Sequence, residues 1–194
     1  MSVRLDENGR RIVADVRFSG TGAIRGTVVN ALGDPVTDPG EVKVAQFKDG
    51  RTVTYTAFLD AGRFSLTDVP VGPFSIQVKF SSNPLVGAVS GSLTAAGETA
   101  EVSVRVEPSG SIRGAVRLPD GVTPATDVYV RLAGTSEATG KSFDLHAMTG
   151  DDGSFDFAEI PLGTMALALS DFKTGATAGG TFVLTSATPD LTVG

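Results

Sequence analysis

Ser142, Asp144 and His146 bring together the three side-chain types of a hydrolase triad. Their spacing argues against that chemistry. Phe143, Leu145 and Ala147 alternate with them, which makes the segment a β-strand with the polar set on its solvated side. Alternate residues on a strand lie about 6.5–7 Å apart along it, whereas triad partners must approach within about 3 Å. The three residues therefore read as an exposed strand face.

Two further segments invite chemistry. Gly134-Thr135-Ser136-Glu137-Ala138-Thr139-Gly140-Lys141-Ser142 nearly spells a phosphate-binding loop. It has one residue too many between the glycines, and a strand follows where the anion site needs a helix N-terminus. It reads as a polar connection between strands. Asp151-Asp152-Gly153, with Asp60 elsewhere, has the oxygen chemistry of calcium. Calcium wants about six to eight converging oxygens, and two aspartates before a glycine also cap a β-turn. The turn is the simpler role, and calcium at Asp151 and Asp152 stays open. A flat aromatic platform for sugars is poorly supplied: tryptophan is absent, the tyrosines are Tyr55 and Tyr129, and most of the 11 phenylalanines alternate as core residues.

The elements that carry these residues occur twice. Gly62, Phe64, Pro70 and Gly72 recur a constant 91 residues later as Gly153, Phe155, Pro161 and Gly163. Each copy is a strand, a tight Pro-x-Gly corner and a second strand, with glycine supplying the positive φ and proline interrupting pairing. Gly22-Ala23-Ile24-Arg25-Gly26-Thr27-Val28 likewise matches Gly110-Ser111-Ile112-Arg113-Gly114-Ala115-Val116, 88 residues on. Turns at Gly33-Asp34-Pro35-Val36 and Pro119-Asp120-Gly121-Val122 follow, then strands at Val42–Val44 and Val128–Val130. Beyond these, Lys48-Asp49-Gly50 predicts a hairpin turn, and residues 133–141 a longer loop.

A closing hairpin recurs three times. Leu93 to Val106 predicts a strand, a turn at Ala96-Gly97-Glu98 and a strand. Leu5, Gly9, Ile12, Ala14, Val16 and Phe18 repeat the pattern 88 residues earlier, and Leu184, Leu191 and Val193 repeat it 91 residues later. The expected class is all-β: two tandem Greek-key-type β-sandwich modules, preceded by a β-hairpin. Residues 1–19 would be the closing hairpin of a preceding repeat. Residues 20–107 would form module one, and residues 110–194 module two, with its last strand cut short. Glu107-Pro108-Ser109 is the linker. Expected core positions are Ile24, Val28, Val44, Phe64, Leu66, Ile76, Val78, Val102 and Val104. Their counterparts are Ile112, Val116, Val130, Phe155, Phe157, Leu167 and Leu169.

Composition narrows the function classes. The net charge is −6 with both signs interspersed, and the sequence pI is about 4.7. Such a chain lacks the basic stripe that phosphate neutralisation requires, so nucleic acid is not an expected partner. Arg4, Arg10, Arg11 and Arg17 come nearest to a cluster, but Asp6, Glu7 and Asp15 dilute them. Cysteine is absent, which excludes disulfides and thiolate metal sites. Charges near the N-terminus leave no signal-peptide core. The uncharged run Phe80 to Gly97 is too polar to enter a membrane. A signal for export would lie outside this chain.

The repeated motifs resemble the carboxypeptidase regulatory-like family. Module one carries Gly26-Thr27-Val28, Gly33-Asp34-Pro35-Val36, Leu59-Asp60-Ala61-Gly62-Arg63-Phe64 and Pro70-Val71-Gly72-Pro73-Phe74. Module two carries Gly114-Ala115-Val116, Asp151-Asp152-Gly153-Ser154-Phe155 and Pro161-Leu162-Gly163. It departs at Met165, where an aromatic is usual, and in its reordered early turn. The resemblance implies a transthyretin-like (prealbumin-like) sandwich in accessory, stalk or adhesive parts of bacterial surface or secreted proteins. Peptidase chemistry does not come with it: a zinc site needs several histidine and glutamate ligands, and the chain has one histidine. The activity of the transthyretin-like hydrolases, which also rely on several histidines, is unsupported on the same ground. Related surface domains carry Lys–Asn or Lys–Asp isopeptide bonds, for which Lys43 is a candidate. The promoting acid would be expected where Gln77 and Ala168 stand, so Lys43 reads as a solvent-facing lysine.

The expected function is therefore a non-catalytic structural or spacer unit, extracellular or at the cell surface. Its partners would be neighbouring domains of a longer array. The alternative is a module that binds carbohydrate or peptide. No catalytic, cofactor or metal residue is assigned. Residues 10–18, with Ile12, Ala14, Val16 and Phe18 on one side, are expected to fold back on module one, to add as a strand to another molecule, or to fray in solution.

Overall fold

The computed structural model describes residues 20–48 and 50–193. The segment expected as an opening hairpin, residues 1–19, lies outside them. The remainder is all-β, and among the described residues no helix is long and apolar enough to cross a membrane.

Seven strands come first: β1 (Thr21–Val29), β2 (Gly40–Lys48), β3 (Arg51–Phe58), β4 (Arg63–Pro70), β5 (Gly72–Phe80), β6 (Val86–Leu93) and β7 (Thr99–Arg105). They form a sheet of order β4-β1-β7 facing a sheet of order β3-β2-β5-β6. Seven more follow: β8 (Ser109–Ala115), β9 (Tyr129–Ser136), β10 (Ser142–Met148), β11 (Ser154–Pro161), β12 (Gly163–Ser170), β13 (Thr177–Leu184) and β14 (Asp190–Val193). Their sheets, β11-β8-β14 and β10-β9-β12-β13, repeat the same topology. The first apolar cluster is centred on Ile24, Val44, Phe64, Ile76 and Val104. The second is centred on Ile112, Val130, Phe155, Leu167 and Leu184.

Backbone geometry repeats with the sequence. Gly72 and Gly163, the corner glycines, have φ of 145° and 143°. Gly62 and Gly153 both have φ of 74°, and a Cβ on either would lie 2.4 Å from a carbonyl oxygen, that of Val36 or Val116. One strained pair corresponds as well: Asp68 (φ 59°) and Glu159 (φ 52°) occupy the left-handed region, where a side chain is disfavoured. Each lies in the strand whose pairing shifts register, β4 and β11.

Three expectations need correction. Leu93 to Val106 is not a hairpin, because β6 belongs to one sheet and β7 to the other. The chain turns a corner at Thr94–Glu98, and β7 then runs parallel to β1 from Ala23↔Thr99 to Val29↔Arg105. The Glu98 carboxylate accepts from both the backbone and the hydroxyl of Thr94 and from the Ala95 N–H, which fixes that corner. Second, residues 133–136 are not loop: β9 continues to Ser136 because Gly134 leaves room for the Phe143 ring opposite it. Third, Leu66, Val102, Val116 and Leu169 pack against the cores without being fully enclosed.

A cross-strand pairing of phenylalanine with glycine sets the spacing of each narrow sheet. Phe64 lies opposite Gly26 and Phe155 opposite Gly114. A Cβ on Gly26 would sit 2.2 Å from Phe64 Cζ, and one on Gly114 2.6 Å from Phe155 Cζ. The ring thus occupies the place of the missing side chain while its far face fills the core. Truncating either buried ring leaves a cavity beside a bare glycine. Phe64→Ala and Phe155→Ala are each expected to cost about 3–5 kcal/mol in urea-induced unfolding. A loss well below about 1 kcal/mol would show that the ring does not hold its sheet in place.

Candidate functional site

The strongest convergence of polar groups is at the junction between the modules. Glu107 lies two residues past the end of β7 and is only 8% exposed. Its backbone N–H donates to the Val86 carbonyl at 3.1 Å. Its carboxylate then faces both ways. Oε1 accepts the Val86 N–H of module one at 2.9 Å. Oε2 accepts the Ser136 hydroxyl of module two in a short hydrogen bond, and the Thr139 hydroxyl at 3.4 Å. Charge-assisted bonds of this kind are about twice as strong as neutral ones.

The loop that meets this carboxylate is the near-match to a phosphate-binding loop. Ser136 Oγ also accepts the Thr139 N–H, and the Gly140 N–H returns to the Ser136 carbonyl, so the turn is locked. It holds an anion without a helix, and that anion is the chain's own carboxylate. Two more bonds flank it. Leu162 N–H donates to the Pro108 carbonyl at 3.3 Å. Asn83 Nδ2 donates to Glu159 Oε2 at 2.7 Å, which joins the β5–β6 loop to the strained position in β11. The sequence offered little sign of this. Glu107 looked like linker, and only the Ser-x-x-Thr spacing of Ser136 and Thr139 hints at an anion-accepting turn.

The other candidates are dispersed. The Ser142 hydroxyl pairs with Thr135 at 3.4 Å. Asp144 makes a forked contact with Arg131 at 2.5–3.1 Å. Those hydrogen bonds hold the Asp144 carboxyl below the usual carboxylate range. His146 Nδ1 lies 3.7 Å from Asp144, and its ring stacks on Tyr129 at 5.9 Å between centroids. The exposed ladder has no nucleophile aimed at a base. The Ser154 hydroxyl, followed by the Ser154 N–H at 2.9 Å, holds the Asp152 carboxyl below the usual carboxylate range. Asp60 is bonded through its backbone to Arg63. Among the described residues no three histidine, aspartate or glutamate side chains converge on a metal position. Lys43 is 45% exposed and pairs with Glu41 at 3.1 Å, with neutral Gln77 opposite it in register.

Phe47, Phe58 and Phe172 all face solvent, and Phe172 has aromatic neighbours. Tyr129 stands between His146 and Phe172, its ring 5.8 Å from that of Phe172, which is 76% exposed. Lys173 and Asp127 pair beside it at 2.7 Å.

No family model matches the chain, and no curated protein sequence does. Solved structures do resemble it. The Streptococcal ancillary pilin aligns with 94% of this chain at 15% identity and a TM-score of 0.49. The chain spans 64% of that pilin, less than two thirds of its length. A putative adhesin from Bacteroides ovatus aligns at 11% identity over 95% of both chains, with a TM-score of 0.45. The shaft pilin SpaA from Lactobacillus rhamnosus GG aligns at 8% identity over 89% of this chain and 96% of its own, with a TM-score of 0.47. At such identities the likeness is one of fold only.

Glu107→Ala would leave the Val86 N–H and the Ser136 hydroxyl without their acceptor, at about 1–3 kcal/mol for each buried group. Glu107→Gln keeps an acceptor for Val86 and offers a donor to Ser136. Hydrogen exchange at the Val86 amide is expected to accelerate in Glu107→Ala and to stay near wild type in Glu107→Gln. Unchanged exchange in both would remove Glu107 from the junction.

Proposed function

We propose that the chain is a non-catalytic spacer: two carboxypeptidase regulatory-like modules, residues 20–107 and 110–194, that hold neighbouring domains of a larger bacterial surface or secreted protein at a set distance. The observation that carries this reading is the Glu107 carboxylate, buried in the linker and bonded to both modules. A linker of three residues already restricts the angle between modules. A buried acceptor shared between them adds an energetic penalty to bending. The exposed Ser142–Asp144–His146 ladder, tied up with Thr135 and Arg131, supports a non-enzymatic role.

A second reading has its own support. The Tyr129–His146–Phe172 group is an exposed aromatic surface with polar neighbours, the kind of surface on which a sugar ring or a peptide side chain can stack. Glycan and peptide arrays probed with the full chain separate the two. The spacer reading expects no selective ligand. A selective ligand lost on Phe172→Ala would replace the spacer by a binding module.

A further inference from the structure

A cleft of about 430 Å³ opens between the modules, with Val86, the residue bonded to Glu107, in its wall. The β5–β6 loop of module one, from Ser81 to Leu85, lines it on the one hand, and residues 141–145 of module two on the other. Those last residues lead into β10, an edge strand. It pairs with β9 and, on its other side, with no strand among the described residues. The register shows which groups this edge offers. The Ser136 N–H donates to the Lys141 carbonyl, so the backbone of Lys141 faces β9. Alternation then turns Phe143 and Leu145 toward β9 as well, and Ser142 and Asp144 away from it. The backbone N–H and C=O groups of Ser142 and Asp144 therefore point to the free edge, at the cleft.

Charge sets what the cleft can take. Lys79 comes to it from module one and Lys141 from module two. Neither has an ion pair among the described residues, although the chain carries a net charge of −6. Glu41, opposite Lys79 in register, pairs with Lys43 instead. The one carboxylate in the wall, Asp144, is engaged by Arg131, and Glu159 is engaged by Asn83. An acidic ligand thus meets two unspent positive charges and no unpaired carboxylate in the wall. We propose that the cleft binds an extended peptide bearing acidic side chains, which adds as a strand to β10 at Ser142 and Asp144 while its carboxylates meet Lys79 and Lys141. In this mode main-chain bonds to a sheet edge supply affinity, and side chains supply selection. Because each module contributes one lysine, the bound strand bridges the junction and adds to the hold of Glu107. Main chain and charge pick out a class of peptide rather than one sequence, so this binding is compatible with a spacer. Tyr129 and Phe172 are not in the wall, and binding here should survive Phe172→Ala.

The test is an NMR titration of the full chain with a pool of ten-residue peptides, glutamate fixed at two alternate positions and the rest randomised. The pool is expected to shift the amide resonances of Ser142 and Asp144 and to slow their hydrogen exchange. A pool with lysine at the same two positions is expected to leave both unchanged. Lys79→Glu/Lys141→Glu, its fold checked on the remaining resonances, should bind the glutamate pool at least about tenfold more weakly. A backbone N-methylated glutamate pool, which lacks strand donors, should fail to bind. No response at Ser142 and Asp144 overturns the proposal, as does an equal response to the lysine pool or in the doubly substituted chain. Binding that N-methylation leaves unchanged would show an anion resting on two lysines without strand addition, and overturns it too.

Discussion

The carboxylate of Glu107 answers to two modules at once, and the relation between them depends on it. A buried carboxylate is tolerable only when donors replace its lost water. Here one donor is the Val86 N–H of module one and two are hydroxyls of module two. Swinging the modules apart would break the bonds to Ser136 and Thr139 and leave water to replace them. Asn83 and Glu159 add a second tie at the periphery, placed by the left-handed backbone at Glu159.

Within each module a different constraint operates. Rings of Phe64 and Phe155 lie across glycines of the neighbouring strand, and Phe74 over Gly91 repeats the device in a wide sheet. A side chain on any of these glycines would collide with the ring. The arrangement lets short strands carry large core residues, which a sandwich of this size needs to cover the cost of ordering its loops.

Much of this was legible in the sequence because periodicity and turn chemistry are local. The offset between Gly62 and Gly153 carries the two-module architecture, and alternation around Pro70 and Pro161 marks the corner strands. What escaped notice depends on where strands go after a turn. Leu93 and Val104 alternate as a hairpin would, yet their strands join opposite sheets, since alternation says which face is buried and not which partner is paired. By sequence the loop before Ser142 is a polar connection between strands. That it holds an anion depends on Glu107, 29 residues from Ser136 in the chain, and no local pattern reports such a contact. By sequence Glu107 is a linker residue, a charged side chain beside Pro108.

A junction held by Glu107 should be stiff. Because the chain has no cysteine, spin labels can be placed at will on exposed strand positions, one per module, for example at Thr56 on β3 and Thr181 on β13. Pulsed dipolar spectroscopy on that doubly labelled chain should give one narrow distance distribution, broadened when Glu107→Ala is added. A broad distribution in the otherwise wild-type chain, unchanged by that substitution, would contradict a junction held by Glu107.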